Sequence, residues 1–130
     1  MQRLLFAEFL LVGAGGFIGS GLRYTVAVSI GRLFPYSSFP YGTATVNVIG
    51  CFLIGYLATA LEVRELTEPA LKLFLLAGLL GGFTTFSAFS YENLVLLQNS
   101  KAIIAALNVI IQVSTGLLAA WGGFQLAKVF

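Results

Sequence analysis

The chain has 130 residues, 9% of them charged and 58% apolar, with seven Lys and Arg against five acidic residues for a net charge of +2. A soluble domain is about one quarter charged, and here the glycines raise the low-polarity share to about 70%, so too little polar side chain exists to cover a water-facing surface. With no His, no Asp and one cysteine, Cys51, the chain cannot build a zinc cluster, a Ser-His-Asp triad or an internal disulfide, and its scattered basic residues form no patch for nucleic acid.

A helix that crosses a bilayer needs about 20 mostly apolar residues, so four would take about 80 and leave one membrane domain over residues 1–130. The start, Met1-Gln2-Arg3 before an apolar run, has the outline of a signal peptide. The apolar character continues to Leu22 and three more hydrophobic segments follow, which fits a first span that stays, over residues 4–30. Pro35, Ser37, Ser38 and Pro40 mark a loop. The second span covers 43–61, and the charged stretch from Glu62 to Pro69 is a solvated connection. The third covers 71–97, Gln98 to Lys101 is a polar turn, and the fourth covers 102–127. The expected fold is an all-α integral membrane protein of four helices with a broken third helix.

Four spans put Arg3, Arg64, Lys72 and Lys128 on one side and Arg23, Arg32 and Lys101 on the other. Lys and Arg placement normally fixes orientation, and four against three is no bias. A chain that inserts both ways could form an antiparallel homodimer, whose second copy would supply walls that a four-helix bundle lacks.

Polar groups inside hydrocarbon are functional candidates unless they pair or reach the interface. Glu8 and Arg23 lie near the ends of the first span, where long side chains snorkel. Asn47, and on the fourth span Gln112, Ser114 and Thr115, can equally be hydrogen-bonding glue between helices, and Cys51 reads as a small buried filler. The glycines of the first span lack the dinucleotide spacing; Gly15 with Gly19, and Gly78 with Gly82, are instead small-xxx-small pairs that let helices approach closely.

The centre of the third span, Gly81-Gly82-Phe83-Thr84-Thr85-Phe86-Ser87-Ala88-Phe89-Ser90, places two glycines and four hydroxyls where the middle of a bilayer helix should be. Each glycine weakens a helix by about 1 kcal/mol relative to Ala, so a break is cheap there. Backbone groups freed at membrane depth must be received by protein or a wet cavity. Freed carbonyls would suit a small cation, and freed amides with the hydroxyls would suit an anion. Phe86 and Phe89 share a helix face, and a ring turned edge-on presents its positive rim to an anion without a full charge that would trap it.

Gly-Leu-Arg23-Tyr24, Gly42-Thr43-Ala44-Thr45-Val46-Asn47 and the long motif from Gly81 to Glu92 resemble the small bacterial fluoride channels of the Fluc, or CrcB, type, and the likeness runs the length of the chain. The resemblance implies a passive fluoride-selective channel in the bacterial inner membrane, a dual-topology antiparallel homodimer with two pores. It implies Phe86, Phe89 and Asn47 as pore residues, with Ser87, Ser90 and Glu92 in the polar stretch and Arg23 as a vestibule arginine that draws anions in. A central sodium ion would rest on the backbone carbonyls of Gly81 and Thr84. The partners would be fluoride, a second copy and the lipid bilayer. The alternative is a coupled exporter similar to the small multidrug-resistance proteins, which depend on a buried first-span glutamate; Glu8 is the candidate and lies close to the start of its span.

Overall fold

Backbone N–H and C=O groups in hydrocarbon must be satisfied within the segment that crosses it, and among the described residues the chain does this with helices alone. The computed structural model describes residues 2–66 and 68–129, with side chains from residue 5 onward. Met1, Thr67 and Phe130 lie outside the described residues, as does the side chain of Arg3, one of the seven basic groups counted above.

Helix α1 runs Gln2–Leu33 and α2 runs Tyr41–Val63. The third span has two parts. Its first, α3, covers 69–83 and joins the turn Pro69–Lys72, a wide stretch Leu73–Leu80 and the turn Gly81–Phe83. Its second is α4, Phe86–Gln98, and α5 is Ala102–Val129. All four spans are long and apolar enough to cross a membrane. At 1.5 Å per residue the 32 residues of α1 extend about 48 Å, more than a hydrocarbon core of about 30 Å, so this helix must tilt or project.

Pro40 and Pro69 start α2 and α3 two residues earlier than the spans expected from hydropathy. The first bilayer-depth segment of α3 differs from expectation more deeply. Over Leu73–Leu80 the backbone adopts the wide form in which each N–H bonds a carbonyl five residues back. An unbroken apolar run carries no signal for that.

The helices pack as two tight pairs, α1 with α3 and α2 with α5. In the first pair the two small-residue motifs face each other. A Cβ on Gly15 would lie 2.5 Å from the Phe74 carbonyl oxygen, one on Gly78 would lie 2.9 Å from that of Val12, and one on Gly19 would collide with the Leu79 carbonyl. In the second pair Gly55 sits against the Ala120 backbone and Gly123 against that of Phe52. Lipid tails are as apolar as Leu, so such backbone-to-backbone packing does the work that hydrophobic burial does in water.

The distribution of side chains is the reverse of a soluble bundle. Phe17, Ile103 and Trp121 are largely exposed, while Thr43, Thr59, Asn108 and Gln112 are buried. An apolar exterior of this size faces lipid.

Candidate functional site

The third span breaks at Thr84 and Thr85. Both residues are extended, with φ −82° and ψ 159° at Thr84 and φ −151° and ψ 116° at Thr85. The break falls two residues past the glycine pair. Gly81 and Gly82 stay helical, and Gly82 is needed for contact instead: a Cβ there would come within 2.6 Å of the Gly16 carbonyl. Helix α4 restarts because the Thr85 side chain accepts the Ala88 N–H at 3.2 Å, the ordinary role of a threonine N-cap.

Asn47 of α2 closes the break from the side. Its Oδ1 accepts the Thr85 N–H at 3.0 Å, and its Nδ2 donates to the Thr85 carbonyl at 3.2 Å and to Gln112 Oε1 at 3.0 Å. Gln112 donates in turn to Asn108 Oδ1 at 2.7 Å. A carboxamide has two N–H donors, so both of Asn47's are engaged and it can serve an anion only by releasing a partner. Asn108, fully buried, keeps an Nδ2 with no partner.

Beside the break lies a groove of about 380 Å³ lined by Asn47, Gly50, Cys51, Ile54, Leu76, Leu80, Gly81, Thr84, Thr85, Phe86, Phe89, Gln112 and Val113. No formal charge lines it. Phe89 is buried at its wall, Phe86 is 80% exposed at its rim, and the two rings stand 5.6 Å apart with a 40° tilt.

The groove therefore brings together Phe86, Phe89, Asn47, Gly81 and Thr84, and it adds Gln112 and Cys51. It does not include Arg23, Ser87 or Ser90. Ser87 is exposed and shares a hydrogen bond of 3.2 Å with the Thr85 hydroxyl, and Ser90 is exposed on α4. Arg23 is half-buried and its Nη1 donates to the Thr84 carbonyl at 3.5 Å. Ser114 and Thr115 bond back to the carbonyls of Ile110 and Ile111 on their own helix, outside the groove. Glu8 is exposed on α1 and does not line the groove.

Glu92 belongs to a second cavity, of about 390 Å³, beneath the loop between α1 and α2. There the Thr43 hydroxyl donates to Glu92 Oε1 at 2.5 Å, and Tyr41 stacks with Phe34 and Phe39 at ring separations of 4.4 and 4.9 Å. Lys101 Nζ donates to Ser38 Oγ at 2.6 Å and ties this loop to the α4–α5 turn.

The break also decides which carbonyls lose their helical donors. In a continuous helix the Gly81 carbonyl would accept from the N–H of Thr85, and that of Thr84 from the N–H of Ala88. The first N–H is taken by Asn47 Oδ1 and the second by Thr85 Oγ1. The two carbonyls singled out for sodium are thus the two whose helical partners are diverted to side chains, and hard oxygens of this kind suit an alkali ion. Two oxygens cannot complete such an ion's shell, so the donor set fits the ion only if a second copy adds its own.

Sequence reasoning missed the Asn47–Thr85 clamp, Asn108 and the Thr43–Glu92 pair. Asn108 could have been found: it is four residues before Gln112, on the same face of a mostly apolar helix.

A four-span bundle with polar amides inside, an interrupted helix and an uncharged aromatic groove defines a multi-pass membrane protein with a polar interior, not a hydrocarbon-filled anchor. Residues 10–124 match the family described as CrcB-like protein, Camphor Resistance (CrcB). Proteins named "Fluoride-specific ion channel FluC" are similar over most of their length. The one from Elusimicrobium minutum is 45% identical over 96% of this chain and 97% of its own, and that from Campylobacter jejuni subsp. jejuni 48% over 92% and 96%. A third, from Flavobacterium psychrophilum, is 44% identical over 90% and 94%. The chain belongs to the CrcB family.

Proposed function

We propose that this multi-pass membrane protein is a passive fluoride channel that works as an antiparallel homodimer with two pores. The observation that carries the reading is the Phe86–Phe89 pair beside the helix break, in a groove without formal charge. Fluoride is small and tightly hydrated, and a conducting site must replace its water without trapping it. The ring edges of Phe86 and Phe89 and the second N–H of Gln112 are donors of that moderate strength. Chloride is too large to meet them together. The names of the relatives, which specify fluoride, support the same substrate.

The exposure of Phe86 at the rim of the groove supports a second copy that would cover it. The even distribution of Lys and Arg, which favours neither orientation, supports the antiparallel arrangement. In the dimer the Gly81 and Thr84 carbonyls of both copies would hold one sodium ion, which supplies a fixed positive charge at the centre. The relatives are bacterial, so the membrane proposed is the bacterial inner membrane.

Liposomes loaded with potassium fluoride and carrying the purified protein test the reading. Fluoride should leave when a potassium ionophore relieves the membrane potential, and chloride-loaded vesicles should stay full. Efflux that demands a proton gradient would favour the coupled exporter instead, and equal loss of chloride would refute selectivity.

A further inference from the structure

Arg23 lies one helical turn beyond Gly19, on the stripe of α1 that packs against α3, where Gly19 abuts the Leu79 carbonyl and the Phe83 N–H. That register brings its guanidinium to the Thr84 carbonyl, 3.5 Å away, rather than to the groove or its rim. The Thr84 carbonyl has lost its helical donor to the Thr85 cap, and an unpaired carbonyl at this depth is costly. Among the described residues Arg23 supplies the one hydrogen bond it receives, and no carboxylate pairs with the guanidinium.

We propose that Arg23 is the resident cation of the helix break: it occupies the Thr84 carbonyl in the single chain and competes there with sodium, setting how much sodium the dimer needs. The inference rests on the sodium reading above. A cation on the same oxygen stands one hydrogen bond from a permanent positive charge, and half-burial leaves little salt to screen the repulsion. A neutral partner would satisfy the carbonyl without opposing the ion. Arg23 therefore keeps the lone chain's break paired during insertion and makes sodium binding conditional on the guanidinium swinging aside.

The test uses the full chain in detergent micelles, with N-methylglucamine chloride replaced stepwise by sodium chloride at constant ionic strength. The readout is the sodium concentration that gives half of the maximal rise in the thermal unfolding midpoint. Arg23→Gln and Arg23→Met remove the charge, and each should lower the half-point by at least about tenfold. Arg23→Lys keeps the charge and should stay near wild type. A wild-type protein indifferent to sodium would overturn the sodium reading and this proposal together. Wild-type dependence with an unchanged or raised half-point in both neutral variants would overturn this proposal alone. Failure of both neutral variants to fold at any sodium concentration would also overturn it, since Arg23 would then be required for folding and not for tuning the ion.

Discussion

Replacing Asn47 with Leu keeps a similar volume and removes three hydrogen bonds at once: those with the N–H and C=O of Thr85, and that with Gln112 Oε1. A buried group left dry costs about 1–3 kcal/mol, which for three groups gives an upper range of roughly 3–9 kcal/mol. Hydrogen bonds between membrane helices are worth less, about 0.6 kcal/mol on average and about 1.7 at most, because unfolded segments in lipid find other partners. The adjoining groove of about 380 Å³ can admit water to the freed groups, so the lower scale governs and the loss should be about 2–4 kcal/mol. Unfolding of the variant in mixed micelles, followed by the fluorescence of Trp121, the one tryptophan, measures it. Fluoride efflux should fall in parallel, because the break loses its clamp. Stability within about 0.5 kcal/mol of wild type with efflux abolished would refute the clamp and return Asn47 to the role of a direct anion ligand.

Gly19→Ala should prevent recovery of folded protein, because its Cβ would strike backbone atoms of Leu79 and Phe83 that cannot move separately; Gly13→Ala, with open space around it, should elute from size exclusion as wild type does. Phe86→Ile removes a ring edge from an exposed rim and should cut fluoride efflux strongly at little cost to single-chain stability, whereas Phe89→Ile should lose efflux and also about 1 kcal/mol of stability from a buried wall. Normal efflux in both would contradict the pore assignment. Ser100, left-handed at φ 58° where α4 ends, should accept glycine with a gain of about 1 kcal/mol, readable as a higher thermal midpoint. Three lysines added to the loops of one side should fix the orientation; efflux should then fall until an oppositely fixed partner is co-expressed, and full efflux from one fixed orientation would exclude the antiparallel dimer.

The four helices were legible in the sequence because apolarity over 20 or more residues leaves backbone groups no solution but a helix. The smooth faces made by Gly15 with Gly19 and by Gly78 with Gly82 were legible for a similar reason, since small residues four apart share one side of a helix, but that the two faces meet is seen only in the structure. Phe86 and Phe89 could be placed together from spacing alone. The exact residues of the break could not: glycine pointed to 81–82, but helical glycine is wanted there for contact with α1, and the chain yields at Thr84 and Thr85 because Asn47, 38 residues away in sequence, offers Thr85 the bonds a helix would have given. The sequence placed Arg23 near the end of its span and the family resemblance implied a vestibule charge; only the packing of α1 on α3 reveals its bond to the Thr84 carbonyl. Local pattern determines which segments are helices and which faces are smooth. Which carbonyls lose their partners, and what replaces them, depends on side chains that reach the break from other helices, so only the tertiary structure decides it.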